Sequence, residues 1–214
     1  MATTDAFEKV NYRGRLMDRK TMAFLKAMEA KLGYPLTVVQ GCYNPGGVSA
    51  SAGTHDGGGV VDLVSWDAKR KVKVARELGA FAWFRPTLPG VWGEHIHLGI
   101  RSHGRLSPAA KNQQSAFDGD PARNGLASNL VDRTWRPDPL VTFKYKVDAG
   151  PPEPEPTRVA RARDALAEAV HNLEEAAALL DAADEDRTVA KNQIDDLRKL
   201  RRSALEVLKI LPKA

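Results

Sequence analysis

Met22, Leu25, Met28 and Leu32 recur at helical spacing between Asp18 and Gly33. Steps of three and four residues put them on one stripe. Asp18 offers an N-cap oxygen and Gly33 a left-handed terminus, so the pattern predicts a helix with one buried face. The period then changes. Leu36-Thr37-Val38-Val39-Gln40 reads as a strand, Gly41 to Gly53 as a long loop of small residues, and Val60-Val61-Asp62-Leu63-Val64 as a second strand. A helix is predicted over 67–78, stopping at Gly79. Phe81-Ala82-Trp83-Phe84 reads as a third strand and His95-Ile96-His97-Leu98-Gly99-Ile100 as a fourth. Side chains alternate along a strand, so His95 and His97 share one face while Ile96 and Leu98 point the other way. Residues 101–147 are rich in Pro, Asn, Asp and Gly and read as irregular, with a short helix near 108–117. The expected fold is α+β: a small antiparallel sheet with helices on one face and the histidines on the other.

The pattern changes again after Asp148. Pro151, Pro152, Pro154 and Pro156 forbid a helix and favour extended chain, so 148–157 reads as a linker. Beyond it Val159, Leu166, Leu173 and Leu180 recur at heptad spacing, with Ala162, Ala169 and Ala176 between them. A break at Ala183-Asp184-Glu185-Asp186 precedes a second stripe from Ile194 to Leu211. This predicts a C-terminal α-helical hairpin over 158–214. Two such helices bury little by themselves, so the hairpin is expected to pack on a second copy, another protein or the first domain. Residues 1–147 form the other unit. His171, among polar neighbours, reads as a solvated surface residue.

Composition sharpens this division. All 17 glycines and every Trp, Tyr and Phe lie before residue 151. Acidic and basic residues balance in the hairpin, so the net charge of +5 belongs to the first part. That charge forms no dense basic patch interleaved with aromatics, so a nucleic-acid partner is not expected; an anionic polymer such as a cell wall fits it equally well. No apolar run is long enough for a transmembrane helix, and Met1-Ala2-Thr3-Thr4-Asp5 lacks the apolar core of a signal peptide. Synthesis and folding in a cytoplasm are expected. The lone Cys42 excludes an intrachain disulfide and reads as a small, partly buried residue.

The candidate chemistry lies in two short segments, Gly53-Thr54-His55-Asp56-Gly57-Gly58-Gly59-Val60-Val61-Asp62 and Trp92-Gly93-Glu94-His95-Ile96-His97. Two histidines and one carboxylate make a common ligand set for catalytic Zn2+, leaving a position for water. His55, Asp62 and His97 are the candidate ligands. Glu94 is a spare carboxylate able to take a proton from that water, and His95 shares the face of His97. The triple glycine permits the sharp turn that brings His55 and Asp62 together. It does not read as a phosphate loop, because no Lys-Ser/Thr follows. Trp83, Phe84 and Trp92 flank the site as core or groove residues. Asp56 orients His55 or makes a turn, and His103 is expected to be exposed.

With these motifs in view, the chain resembles a known family. His55-x-x-Gly58-x-Val60-x-Asp62 followed by Glu94-x-x-His97, with the His95-x-His97 pair, is similar to the zinc D-Ala-D-Ala carboxypeptidases and dipeptidases. It is equally like the L-alanyl-D-glutamate endopeptidases of phage endolysins, and the wording around Gln40 and Ser51 looks most like the version carried by phages of actinobacteria. The resemblance covers residues 10–100. It implies the Hedgehog/DD-peptidase fold, zinc on His55, Asp62 and His97, Glu94 as general base, and His95 close to the metal without ligating it. The chain departs from the family pattern at Gly53, where serine is usual, and at Val60, where alanine is usual. The family's arginine that precedes the motif and polarises the substrate has no obvious counterpart; Gln40 stands on the comparable strand.

The resemblance implies a peptidoglycan peptidase acting on stem peptides, made in the host bacterial cytoplasm and used in phage lysis. Its partners are then the stem peptide and, through 158–214, a second copy or a phage protein. Neither nucleic acid nor membrane is among them. One rival reading is a virion or tail-associated structural protein that keeps the domain and uses the hairpin for assembly. Another is a wall-binding module with a structural zinc. Glu94 argues against both, since a structural site needs no spare carboxylate.

Overall fold

The computed structural model describes residues 5–46 and 49–146, together with residues 166, 169, 170, 195, 196, 198–204 and 206. The proline-rich segment, the heptad positions Val159, Leu173 and Leu180, the predicted inter-helix turn and His171 lie outside the described residues.

The chain begins with a hairpin that the hydrophobic pattern does not predict. β1 (Lys9–Tyr12) pairs antiparallel with β2 (Arg15–Asp18). Arg13 and Gly14 both take positive φ at the turn, 56° and 74°, as two-residue hairpin loops with matched twist require. Asp18 ends β2 and caps α1 (Arg19–Leu32), its side chain accepting from the Thr21 amide; Gly33 closes the helix in the left-handed region. β3 (Val38–Gln40), β4 (Val60–Val64), α2 (Ala68–Glu77), β5 (Ala80–Arg85), β6 (His95–Ile100) and α3 (Pro108–Asp118) follow. A single 3-10 turn, Ser49–Ser51, interrupts the loop between β3 and β4. The last four strands form one antiparallel sheet in the order β3-β4-β6-β5. The α+β class read from the periodicity is the one observed.

The two faces of the sheet carry different cores. Val61 and Leu63 of β4, Ala82 of β5 and Ile96 and Leu98 of β6 pack with Phe24, Leu25, Met28, Val72 and Ala75 of α1 and α2. Leu98 is fully buried there. Burial on this scale stabilises by about 1.5–3 kcal/mol per large aliphatic side chain. On the other face Val60, Phe81 and Trp83 pack with Leu106, Ala110 and Phe117, so α3 covers part of the sheet beside the histidines. The uncovered remainder of that face is a cleft of about 1000 Å³.

Residues of the C-terminal segment reach this domain. Leu166, Ala169 and Val170 are helical, as are residues 195, 196, 198–204 and 206. Val170, 2% exposed, packs with Val64, Val39, Trp66, Leu166 and Ala204. Of the three packing partners expected for the hairpin, its described residues touch the first domain. No helix among the described residues is long and apolar enough to cross a membrane.

Candidate metal centre

Asp62 and His97 face each other across the ladder between β4 and β6, on the face away from α1 and α2. His55 comes from the glycine-rich loop that leads into β4. That loop is held by Asn44 N–H to the His55 carbonyl, Tyr43 N–H to the Gly57 carbonyl and Gly58 N–H to the Arg105 carbonyl. The three side chains are buried at 1%, 7% and 5% exposure, and one ligand atom from each lies within 4.8 Å of the others. The group could hold a metal ion.

The outer hydrogen bonds decide what this group can do. His55 Nδ1 lies 2.9 Å from the Gly41 carbonyl, which only accepts, so the ring donates there and its Nε2 is left bare. His97 Nε2 lies 2.7 Å from Gln113 Oε1. Gln113 is oriented by its own Nε2, which donates to the Gly125 carbonyl at 3.3 Å. His97 therefore donates from Nε2 and leaves Nδ1 bare. His97 Nδ1 is 2.7 Å from Asp62 Oδ1, and His55 Nε2 is 3.2 Å from Asp62 Oδ2. Two imidazole lone pairs and a carboxylate thus converge, all acceptors. Such a cluster is stable only with a cation or protons at its centre. His55 Nε2 has no hydrogen-bond partner. A tetrahedral site with bonds of about 2.0–2.1 Å spaces its ligand atoms about 3.3 Å apart. The His55–Asp62 pair at 3.2 Å has this spacing, and the His97–Asp62 pair at 2.7 Å must open to admit an ion. The residues fit a metal, and Gly41 and Gln113 supply the outer contacts that fix the tautomers of ligating histidines.

The electrostatics agree. Burial works against ionisation of Asp62, but the two imidazoles outweigh it and hold the carboxyl well below its usual range. Burial also opposes charging of His55, yet the attraction of Asp62 raises its pKa. His97 moves the opposite way: burial, with the charges of His55 and Arg85, outweighs Asp62. Trp83 stacks on His97 at 6.5 Å between ring centroids.

The remaining predicted residues divide. His95 lines the cleft, its Nδ1 at 2.8 Å from the Gly93 carbonyl, so Nε2 is the bare nitrogen. Trp92 lines the cleft and meets His95 edge to face. Trp83 is core and Phe84 is exposed on the opposite face. Glu94 precedes β6, at the end of the ladder, and does not line the cleft. Ser65 Oγ donates to its Oε1 at 2.5 Å, and the Arg201 guanidinium donates to the same oxygen. Asp56 is exposed in the loop. Cys42 is buried at 2% exposure, and burial pushes its thiol up to about 12, which removes it as a nucleophile at neutral pH.

His103 differs from its expected exposure. It is 3% exposed and its Nε2 lies 3.2 Å from Asp18 Oδ1. Asp18 also accepts from the Thr21 amide and hydroxyl and from the Tyr43 hydroxyl, each at 2.8 Å. Burial pushes this carboxyl up, but its partners outweigh burial and leave it below its ordinary value. The network explains the glycines better than loop freedom alone. A Cβ on Gly58 would sit 2.3 Å from Asp18 Oδ2, and one on Gly59 would sit 2.6 Å from the His103 ring. The polar stretch after β6 hid this, because nothing in local pattern pairs His103 with a residue far upstream. Gln113 and Arg85, which also line the cleft, escaped for the same reason.

Compared with known protein families, curated proteins and solved structures, the chain matches none.

Proposed function

We propose that this protein is a zinc-dependent peptidase of bacterial cell-wall stem peptides, working in phage lysis. One observation carries the metal half of this reading: the bare Nε2 of His55 and the bare Nδ1 of His97 converge on Asp62, with their other ring nitrogens engaged. The donor set, two imidazoles and a carboxylate, suits zinc with an open position. The peptidase half rests on the likeness of the His55 and Glu94 motifs to the zinc carboxypeptidases and endolysin endopeptidases.

Zinc at this centre supplies Lewis acidity for the scissile carbonyl and lowers the pKa of a water towards about 7. Glu94, held outside the cleft by Ser65 and Arg201, would have to turn into it to accept a proton from the attacking water and return it to the leaving amine. His95 Nε2 borders the same cleft, where it donates to the developing oxyanion when protonated. Gln113 and the Gly41 carbonyl hold the two imidazoles in place.

The test is release of amino groups from purified peptidoglycan by the zinc-loaded chain. Release should stop on chelation and return with added zinc. Chelator-insensitive release, or none, contradicts the proposal. A second reading, an assembly protein with secondary or absent activity, is favoured by one contact: Arg201 of the C-terminal segment occupies the Glu94 carboxylate. It predicts no release from wild-type or Arg201→Ala protein.

A further inference from the structure

Arg85 is the last residue of β5 and pairs with His95 across the ladder, two positions from the Trp83–His97 pair. It therefore projects from the face that carries the metal centre, and it lines the cleft with His55, Asp62, His95 and His97. Its exposure is 5%. The guanidinium rests over the Trp83 ring at 4.7 Å, and its Nη2 is buried with no hydrogen-bond partner. Burial pulls its pKa down to about 10 against the attraction of Asp62 and Asp132, so the group is still charged at neutral pH.

Arg76 provides the internal control. It is just as buried, at 1% exposure, yet its nitrogens donate to the carbonyls of Ala82, Thr134 and Trp135 and to Asp132 Oδ2. The fold satisfies a buried arginine completely where that arginine is structural. A buried cation with an idle donor costs stability, and native proteins seldom keep one without a use. The residue that carries this idle donor lines the open cleft beside the metal ligands.

We propose that Arg85 is the receptor for a free carboxylate on the peptide substrate, one residue beyond the scissile bond. This rests on the peptidase reading and names its substrate class. The planar fork of arginine matches a carboxylate with two parallel hydrogen bonds. Adjacent same-face positions on a strand are about 6.5–7 Å apart, and one extended peptide residue spans about 3.3–3.6 Å. An acid group at Arg85 thus stands within one or two peptide units of a carbonyl at the metal. Two sources present such a group: the C-terminal carboxylate of a peptide, and the free α-carboxylate of a glutamyl residue whose chain continues through its γ-carboxyl. The first makes the enzyme a carboxypeptidase, the second an endopeptidase.

Paired soluble substrates separate the sources. One pair is an acyl-D-Ala-D-Ala peptide as free acid and as C-terminal amide. The other is an L-Ala-γ-D-Glu peptide with a free or an amidated α-carboxyl. With zinc-loaded full-length protein, kcat/KM for the acid should exceed that for the amide on the order of 10- to 100-fold in one pair, the span expected for hydrogen bonds to a charged group. Arg85→Met should bring that ratio close to one, and Arg85→Lys should restore part of it. Both variants should melt no lower than wild type, since no hydrogen bond is lost. Equal rates for acid and amide in both pairs, or undiminished discrimination by Arg85→Met, overturns the assignment. If no peptide is cut, the peptidase reading falls, and calorimetric titration with acetyl-D-alanine judges Arg85 separately. Binding about tenfold or more weaker to Arg85→Met supports the receptor, and equal binding refutes it.

Discussion

The two ends of the Glu94–His97 segment are built differently. At His97 the ring is fixed on all sides: bare Nδ1 faces Asp62, Nε2 donates to Gln113, Trp83 stacks above, and exposure is near 5%. At Glu94 the carboxylate is about a quarter exposed, and its partners are a serine hydroxyl and an arginine from far along the chain. The first end is rigid because tautomer, ring plane and ligand direction are each set by a different strand, loop or helix. The second is held by contacts that solvent can replace. A metal centre needs the first kind of order, while a group that carries a proton between two atoms needs freedom to move. On the proposed reading, metal binding and proton transfer fall at opposite ends of this segment, three residues apart.

The largest effect should come at the looser end. Glu94→Gln keeps the side chain's shape and removes its basicity, so peptide hydrolysis should fall by about 10²–10⁴-fold while zinc content stays at the wild-type value. Unchanged hydrolysis would move the base to His95. Next comes the support beneath the rigid end. Asp18→Ala strips the partner from buried His103, removes the cap of α1 and should cost about 3–5 kcal/mol. Because the folded Asp18 carboxyl lies below its ordinary value, its contribution is full above the unfolded pKa and fades as pH falls through the folded one. The gap in melting temperature between wild type and Asp18→Asn should therefore be wide at neutral pH and narrow in acid. A gap independent of pH would mean that the charge on Asp18 contributes nothing.

Gln113→Ala should weaken zinc binding by about 10- to 100-fold without abolishing it, the usual cost of removing an outer partner of a ligating histidine. Competition with a fluorescent chelator measures it, and unaltered affinity would mean that His97 needs no such anchor. Arg201→Ala has the smallest effect. A partly exposed ion pair is worth up to about 1 kcal/mol, so freeing Glu94 should raise hydrolysis about two- to fivefold. A fall instead would place Arg201 in the working site.

The contrast also marks what the sequence discloses. His55, Asp62 and His97 were legible because the glycine spacing and the period of two put them on one loop and one sheet face. The helices α1 and α2 were legible from Met22, Leu25, Met28 and Leu32 and from the stop at Gly79. Gln113, Arg85 and the Asp18–His103 pair were not, because each acts across elements that only tertiary packing brings together. The β1–β2 hairpin escaped because Arg13-Gly14 lacks the Asn or Asp that usually announces such a turn. The Glu94 motif was legible, but its tie to Arg201 was not, since nothing local couples residues 107 positions apart.

Zinc K-edge absorption of the metal-loaded chain tests the centre most directly. The account predicts one zinc per chain with two imidazole nitrogens at about 2.0–2.1 Å and oxygen completing the shell. It also predicts loss of that spectrum in His97→Ala. A shell without imidazole, or the same spectrum from the variant, would contradict it.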